Sequence, residues 1–129
     1  MGKGIKILVI EDEELLLQVI TRKLSSLQFE VISCTSASQA LDYLKGMSEL
    51  PNCIWLDYYL EDMNGLDFLR ELRKEPKYGK IPVVVVSNSA SEEKKSAMLA
   101  LGATRYILKA EHRLDEIVQT IKDIVTEGY

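Results

Sequence analysis

The sequence predicts a doubly wound α/β domain, in which a parallel sheet is covered by helices on both faces. The 129 residues are enough for one domain with a buried core of its own. Five short apolar runs rich in β-branched residues alternate with five segments whose apolar residues recur at helical spacing. Strict alternation of strand and helix is typical of parallel sheets, because each crossover lays a helix against the sheet.

The first predicted unit is a strand over 5–10 followed by a helix over 14–27. The strand is apolar except at Lys6, as expected for a strand inside a parallel sheet. The helix is predicted because its apolar residues fall on one face. These residues are Leu16, Val19, Ile20, Leu24 and Leu27.

The next predicted elements are a strand over 29–34, a helix over 36–45, a strand over 53–57 and a helix over 65–74. Ser36 or Ser38 begins the first of these helices, and Gly46 ends it. Pro76 ends the second, because proline has no amide donor. Trp55 and Phe68 are predicted to lie in the core.

The last predicted elements are a strand over 81–87, a helix over 91–101, a strand over 105–108 and a helix over 114–125. Ser91 is followed by two glutamates, which suits the positive end of a helix dipole. Gly102 follows the end of that helix. The last helix has an apolar face made of Leu114, Ile117, Val118, Ile121 and Val125.

Composition narrows the class of protein. The net charge of −4 and the absence of any basic run longer than two lysines argue against direct binding to nucleic acid. The apolar runs are far shorter than the roughly 20 residues of a membrane helix, and no signal peptide precedes them, so we expect a cytoplasmic protein without membrane insertion. Cys34 and Cys53 lie in strand segments without a nearby second ligand, which indicates buried reduced thiols. Residues 1–129 are expected to form a single domain.

Polar residues follow four of the predicted strands. In a parallel sheet the carboxyl ends of the strands share one edge, and with strand order 2-1-3-4-5 these four ends are neighbours. Carboxylates after the first strand repel a phosphate where a nucleotide or flavin site would have small residues, so the sequence gives little support for such a cofactor. The residues at these ends are Glu11 and Asp12, then Asp57, Ser87 and Lys109.

Three carboxylates at one edge would raise one another's pKa unless a cation neutralised them. Mg²⁺ is the expected cation, because it takes oxygen ligands and keeps waters that a phosphoryl group can replace. Asp57 follows a very apolar strand, and a partly desolvated position suits a nucleophile. Lys109 can pair with Asp57 and then with a phosphoryl oxygen, and the Ser87 hydroxyl can donate to another.

The order of these residues, with Asp62-Met63-Asn64-Gly65-Leu66 after Asp57 and Ile107-Leu108 before Lys109, resembles the receiver domain of two-component response regulators. The resemblance covers essentially the whole chain. It implies a flavodoxin-like three-layer (βα)5 sandwich with a parallel sheet in the order 2-1-3-4-5.

The resemblance also implies a site. Asp57 would be the phosphorylated residue, and Asp12, Asp57 and the backbone carbonyl of Tyr59 would bind Mg²⁺ with help from Glu11. Ser87 and Lys109 would contact the phosphoryl group. The phosphoryl donor would be a sensor histidine kinase or a histidine phosphotransfer protein. The domain would catalyse only its own phosphorylation and dephosphorylation, so it is not expected to be an enzyme in the usual sense.

A switch is implied as well. Tyr106 would turn inward after phosphorylation and reshape the face of the fourth helix, fifth strand and fifth helix, which would bind a downstream effector. Exposed apolar residues around Met98 and Leu101 leave a phosphorylation-dependent homodimer open. His112, near the start of the fifth helix, is expected to be a surface residue.

Three positions depart from the family pattern: Glu61 stands where many receivers have proline, Asn88 where a small residue is usual, and Ala110 where proline is common. They motivate a second hypothesis, a pseudo-receiver that binds proteins without accepting phosphate. A third hypothesis is a small flavin or nucleotide protein with the same architecture.

Overall fold

The computed structural model of the chain describes residues 4–89 and 91–127. Within them, five strands alternate with five α-helices, and a short 3-10 turn follows both the third helix and the fifth strand. The elements are β1 (Lys6–Ile10), α1 (Glu14–Ser26), β2 (Glu30–Cys34), α2 (Ala37–Gly46), β3 (Cys53–Asp57), α3 (Gly65–Arg73), β4 (Val83–Ser87), α4 (Glu92–Ala100), β5 (Arg105–Leu108) and α5 (Leu114–Glu127).

The strands form one parallel sheet in the order β2-β1-β3-β4-β5. Asp57 pairs in register with Val86, and Ser87 pairs with Leu108. The ends of β3, β4 and β5 are therefore level with one another. The predicted fold class and strand order are confirmed.

Two apolar clusters hold the helices against the sheet. Successive side chains of a strand point to opposite faces, so Leu8 and Ile10 of β1 pack with residues of α2, α3 and α4, whereas Ile7 and Val9 pack with residues of α1 and α5. Every residue of β3 and β4 is buried. These two strands, which carry Asp57 and Ser87, are covered on both faces, and the site is built on a rigid base.

Helix ends follow the predicted chemistry with one exception. The side chains of Ser36 and Ser91 accept hydrogen bonds from backbone amides of the first turns of α2 and α4. Gly102 adopts a φ of +90° just after α4, a conformation that glycine takes without a Cβ clash. Gly46 is the exception, because it is the last residue of α2 and the chain leaves the helix in an extended conformation at Met47.

Two predictions about helix faces are wrong. In α1 the buried residues are Leu17, Ile20 and Leu24, whereas Val19 is 38% exposed. In α4, Met98 is fully buried, and the large apolar residue that α4 exposes is its neighbour Leu99. A one-residue shift in helix rotation exchanges inward and outward positions, and only packing against the sheet sets that rotation. The fully buried Met98 is therefore not available as a docking residue.

Other predictions are confirmed. Cys34 and Cys53 are both free and buried. Trp55 and Phe68 are core residues, and His112 is exposed ahead of α5. Among residues 4–89 and 91–127, no helix combines the length and the apolar character needed to cross a membrane.

Candidate functional site

Three carboxylates meet at the carboxyl edge of the sheet. Glu11, Asp12 and Asp57 each have a carboxylate oxygen within 4.8 Å of the other two. Glu11 and Asp57 are buried, with 1% and 5% of their surface exposed, and Asp12 is half-buried. Oxygen ligands in such a group suit a hard divalent cation. The structure thus brings together the acidic residues that the sequence singled out.

Backbone pairing explains why these side chains meet. The amide of Glu11 donates to the carbonyl of Cys34, 3.0 Å away, so the chain continues the β1–β2 ladder beyond β1. The amide of Glu13 then donates to the Glu11 carboxylate at 3.1 Å, which fixes that side chain at the start of α1. On the neighbouring strand, the amide of Tyr58 donates to Val86, which continues the ladder past Asp57.

Lys109 contributes a cation to this group. Its ammonium nitrogen lies 3.3 Å from Oε1 of Glu11 and 3.6 Å from Oδ1 of Asp57. The Lys109–Ala110 peptide bond is trans, and alanine at 110 is thus compatible with a lysine that reaches both carboxylates. One lysine balances two buried carboxylates only in part, so this edge of the sheet remains negatively charged.

The electrostatics of Asp57 follow from this imbalance. Burial, together with the nearby charge of Glu11, raises its pKa from 3.8 to about 7 against the opposing effect of Lys109. A second positive charge would allow all three carboxylates to stay ionised. The donor set therefore fits a divalent cation such as Mg²⁺, with Glu11, Asp12 and Asp57 as the residues that could hold it.

The segment after β3 is folded tightly beside Asp57. The amide of Tyr59 donates to Oδ1 of Asp57 at 3.4 Å, and Tyr59 forms an isolated bridge with Asn64. The amide of Gly65 donates to the carbonyl of Tyr58. A Cβ at Gly65 would lie 3.1 Å from the Cα of Tyr58, so this close approach favours glycine. Tyr59, the predicted carbonyl ligand, is held next to the acidic group.

Asp62 anchors the same segment to the rest of the fold, and sequence reasoning missed this role. Its carboxylate accepts hydrogen bonds from the amides of Ala37 and Ser38, at 3.1 and 2.9 Å, and from the Ser38 hydroxyl. The amides belong to the free N-terminus of α2, which attracts negative charge. No local pattern reveals this contact, because 24 residues separate Asp62 from Ser38.

Ser87 and Tyr106 both contact Ser89. The Ser87 side chain is completely buried, and its oxygen accepts from the amide of Ser89 at 3.0 Å. The hydroxyl of Tyr106 donates to the carbonyl of Ser89 at 3.0 Å, and the Tyr106 ring is half-buried against the core. The two predicted switch residues are therefore linked through Ser89, a residue just after the end of the fourth strand to which the sequence assigned no role.

Lys94 lies at the rim of the acidic site, and it is a further residue that the sequence did not reveal. Its ammonium donates a hydrogen bond to the hydroxyl of Tyr59 and lies 4.9 Å from the centre of the Tyr59 ring. Lys94 belongs to α4 and Tyr59 follows β3, with 35 residues between them.

Asn88 and Glu61, two of the departures from the family pattern, are exposed on the surface.

Comparison with known proteins identifies the family. The family model described as "Response regulator receiver domain" matches residues 7–122. The chain belongs to this family. Among its relatives, the two-component response regulator ORR12 of Oryza sativa subsp. japonica is 35% identical over 103 residues, which cover 80% of this chain and 84% of the relative.

Solved receiver structures share the fold. The phosphorylated cyanobacterial phytochrome response regulator RcpA is 27% identical with a TM-score of 0.84, over 96% of each chain. The Mn²⁺-bound form of the response regulator Rcp1 is also 27% identical with a TM-score of 0.84, over 98% of this chain and 97% of that one. The receiver domain is a signalling domain of two-component systems.

Other curated relatives are longer than the matched region. This chain spans 18% of the length of a response regulator from Arabidopsis thaliana, and 41% and 45% of two further transcriptional regulators. The shared part in each case is the receiver domain, so the relatives' further activities do not transfer to this chain.

Proposed function

We propose that this receiver domain is a phosphorylation-controlled switch in which Asp57 accepts a phosphoryl group. The donor is the phosphohistidine of a sensor histidine kinase or of a histidine phosphotransfer protein. One observation carries the proposal: Asp57 is a buried carboxylate within 4.8 Å of two others and 3.6 Å from the Lys109 ammonium. A buried carboxylate beside a cation, with further oxygen ligands around it, suits nucleophilic attack on phosphorus.

Mg²⁺ is proposed as the cofactor, held by Asp12 and Asp57 with the carbonyl of Tyr59 and assisted by Glu11. When bound, the ion would neutralise the carboxylates and withdraw charge from the phosphoryl oxygens. Two relatives support this chemistry, because one solved structure is of a phosphorylated regulator and another is of a Mn²⁺-bound regulator.

The transfer is an in-line displacement. An oxygen of the Asp57 carboxylate forms a bond to phosphorus while the bond from phosphorus to the donor's imidazole nitrogen breaks. The other ring nitrogen of that phosphohistidine is protonated, so a neutral imidazole leaves. Lys109 lies close enough to Asp57 to stabilise the charge on an equatorial phosphoryl oxygen. The product is an acyl phosphate on Asp57, which water later hydrolyses to restore the carboxylate.

The switch follows from the hydrogen bonds of Ser87. In this structure its oxygen accepts from the Ser89 amide, and its hydroxyl proton can still donate to a phosphoryl oxygen, so movement of Ser87 toward that oxygen would draw Ser89 with it. Displacement of Ser89 in turn releases the Tyr106 hydroxyl, which donates to the Ser89 carbonyl. We propose that Tyr106 then packs inward and reshapes the surface of α4, β5 and α5 for a downstream effector. A homodimer on this face stays a prediction.

The whole chain is proposed to act as one receiver unit. Its two buried free thiols fit a reducing compartment, and we propose the cytoplasm, where a kinase domain can reach Asp57.

Intact mass after incubation with acetyl phosphate tests the proposal, with and without Mg²⁺ and with Asp57→Asn as the matched control. We expect the gain of one phosphoryl group that requires both Mg²⁺ and Asp57. A labelled Asp57→Asn protein would contradict the assignment of Asp57.

A chain that takes no phosphoryl group, either from acetyl phosphate or from phosphorylated histidine kinases, would favour the pseudo-receiver. Mg²⁺ titration followed by Trp55 fluorescence adds a separate test of the metal site, because Trp55 lies in β3 two residues before Asp57. No Mg²⁺-dependent change in fluorescence together with no labelling would leave protein binding as the function.

A further inference from the structure

The indole of Trp55 has a buried hydrogen-bond donor without a protein partner. Trp55 lies in β3, is 1% exposed and packs in the apolar cluster that α1 and α5 form with the sheet. Its Nε1–H has no acceptor among residues 4–89 and 91–127, and every other fully buried side-chain nitrogen or oxygen in that part of the chain has a partner. Because a buried indole N–H usually has an acceptor, this donor calls for one that the protein does not supply.

A cavity of about 150 Å³ lies beside the same side chain, between α1 and α5. Most of its walls are apolar, and they are formed by Leu16, Trp55, Val86, Leu114 and Ile117. An apolar cavity of about this volume can hold one benzene molecule. The space beside Trp55 therefore fits a single small ring.

The cavity also has an entrance. Leu16 and Leu114, which face each other from α1 and α5 across the cavity, are half-buried, and His112 at its edge is exposed. A molecule can thus enter between the two helices without displacement of a fully buried residue.

The charges around the cavity favour a neutral occupant. The described residues that line it include no carboxylate, so a cation would have no ion-pair partner there. Lys109 lines the cavity too, but its ammonium lies 3.3 Å from Glu11 and 3.6 Å from Asp57. These two buried carboxylates already exceed the charge of the lysine, so an anion beside it would be repelled.

From these observations we infer that the cavity is a binding site for a small neutral molecule with an apolar ring and one hydrogen-bond acceptor. The ring fills the space between α1 and α5, and the acceptor receives the hydrogen bond of the Trp55 indole. The inference is independent of the function proposed for Asp57, because Lys109 is the one residue that the cavity shares with the acidic site.

Tetrahydropyran is the probe for this site, since it is a neutral six-membered ring with one ether oxygen and no donor. The full chain has one tryptophan, so its indole N–H gives one NMR signal. We expect titration with tetrahydropyran to move that proton signal downfield along a saturable curve. A dissociation constant of about 1 mM is expected for so small a ligand. Methyl signals of Leu16, Leu114 and Ile117 should move along the same curve.

A second probe and a variant test the hydrogen bond. Cyclopentane is apolar and lacks an acceptor, so it should move the methyl signals without the downfield shift of the indole proton. Trp55→Phe keeps an aromatic ring and removes the N–H. It is expected to weaken the binding of tetrahydropyran relative to cyclopentane about fivefold, the factor of one neutral hydrogen bond.

A larger side chain in the wall tests the location of the site. Leu114→Phe should reduce the space in the cavity and weaken tetrahydropyran binding about tenfold. Leu66→Phe is the matched control, because Leu66 is also half-buried but packs on the opposite face of the sheet. Thermal melting checks that both variants fold, and Leu16→Phe replaces Leu114→Phe if that variant does not.

Four results would overturn this site: no saturable change of the methyl signals, methyl shifts without a downfield shift of the indole proton, unchanged relative binding of the two probes in Trp55→Phe, or equal weakening by Leu114→Phe and Leu66→Phe. A water molecule that gives an NMR cross-peak to the indole proton and is not displaced by tetrahydropyran would also overturn it, because solvent would then be the partner of the donor. None of these results would affect the function proposed for Asp57.

Discussion

The ammonium of Lys109 lies closer to Glu11 than to Asp57, at 3.3 Å from a Glu11 oxygen. Glu11 is almost completely buried and also accepts from the amide of Glu13. Its carboxylate is thus held from two sides and directs the lysine toward Asp57, which is 3.6 Å from the same ammonium. The cation of the site is positioned by a residue that precedes it by 98 positions.

Loss of the lysine is expected to disable phosphoryl transfer. Lys109→Met removes the ammonium that can stabilise charge on the phosphoryl oxygens, so the rate of labelling by acetyl phosphate should fall about 100-fold or more. Intact mass against time measures the rate. Lys95→Met is the control for loss of a positive charge elsewhere, and a Lys109→Met protein labelled at the wild-type rate would contradict this role.

The pKa of Asp57 predicts how pH changes stability in the absence of metal. In the folded state burial raises this pKa from 3.8 to about 7, so the folded chain binds more protons than the unfolded chain between these values. The free energy of unfolding then decreases as pH rises through that window. Asp57→Asn abolishes this loss, and its melting temperature in EDTA should exceed that of the wild type above the window.

The same measurement below the window supplies the control, because Asp57 is then protonated in both states and the two proteins should differ less. Saturating Mg²⁺ should narrow the difference above the window, because the ion stabilises the ionised wild-type site. A wild type that is more stable than Asp57→Asn at high pH in EDTA would contradict the destabilised carboxylate.

Asp62, in the segment after β3, is expected to stabilise the fold by capping the N-terminus of α2. Asp62→Ala removes the acceptor for two free amides of α2, at a cost of about 1 kcal/mol in the free energy of unfolding. Asp62→Asn keeps an acceptor oxygen and should lose less. Urea unfolding measures both, with Glu61→Ala as the exposed neighbouring control, and equal losses for Asp62→Ala and Glu61→Ala would contradict the cap.

The ionised form of Asp62 is part of this cap. Although burial raises its pKa, the hydrogen bonds from Ser38 and Ala37 outweigh that effect, and the pKa lies below its ordinary value of 3.8. The contribution of ionised Asp62 to the free energy of unfolding is therefore fully present above pH 3.8, its ordinary pKa, and is lost as pH falls through the lowered pKa. The stability difference between wild type and Asp62→Ala should shrink in acid.

Arg73 connects α3 to the end of α4. Its guanidinium donates to the carbonyls of Leu101 and Gly102, at 3.0 and 3.1 Å, and to that of Tyr78. Arg73→Ala leaves these acceptors without their donor and should lower the free energy of unfolding by about 2 kcal/mol. Arg70→Ala, which breaks only an exposed ion pair with Asp67, is the control and should cost less than about 0.5 kcal/mol.

The two cysteines are expected to be unreactive in the folded chain. Burial raises the pKa of Cys34 and of Cys53 to about 12, so almost no thiolate is present at neutral pH. A thiol reagent such as Ellman's should modify them at a rate limited by unfolding, and quickly in denaturant. Rapid reaction of either thiol in the native protein would contradict this expectation.

Much of the fold was predictable because its signals are local. The boundaries of β3 and β5 agree with the predicted strands at 53–57 and 105–108, where apolar runs end at polar residues. Other strand starts differ by one or two residues, as at Val83, because Ile81 and Pro82 extend the apolar character ahead of the paired part of β4. The rotation of α1 and α4 about their axes was not predictable, so the sequence did not reveal that Val19 is exposed and Met98 is buried.

The class of fold and the residues at the ends of its strands could be predicted from the sequence alone. Alternating patterns and helix caps are properties of neighbouring residues, and a parallel sheet brings its strand ends to one edge. The approach of Glu11, Asp57 and Lys109 follows from those two facts.

The contacts between loops, in contrast, were not predictable before the chain was seen folded. Tyr59 meets Lys94 and Asp62 meets Ser38 over separations of 35 and 24 residues. Such contacts depend on the paths of two chain segments and on side-chain rotamers, which no local pattern encodes. The acidic site was therefore visible in the sequence, whereas the contact of Tyr59 with Lys94 and the Asp62 anchor of the neighbouring segment became visible only in the folded chain.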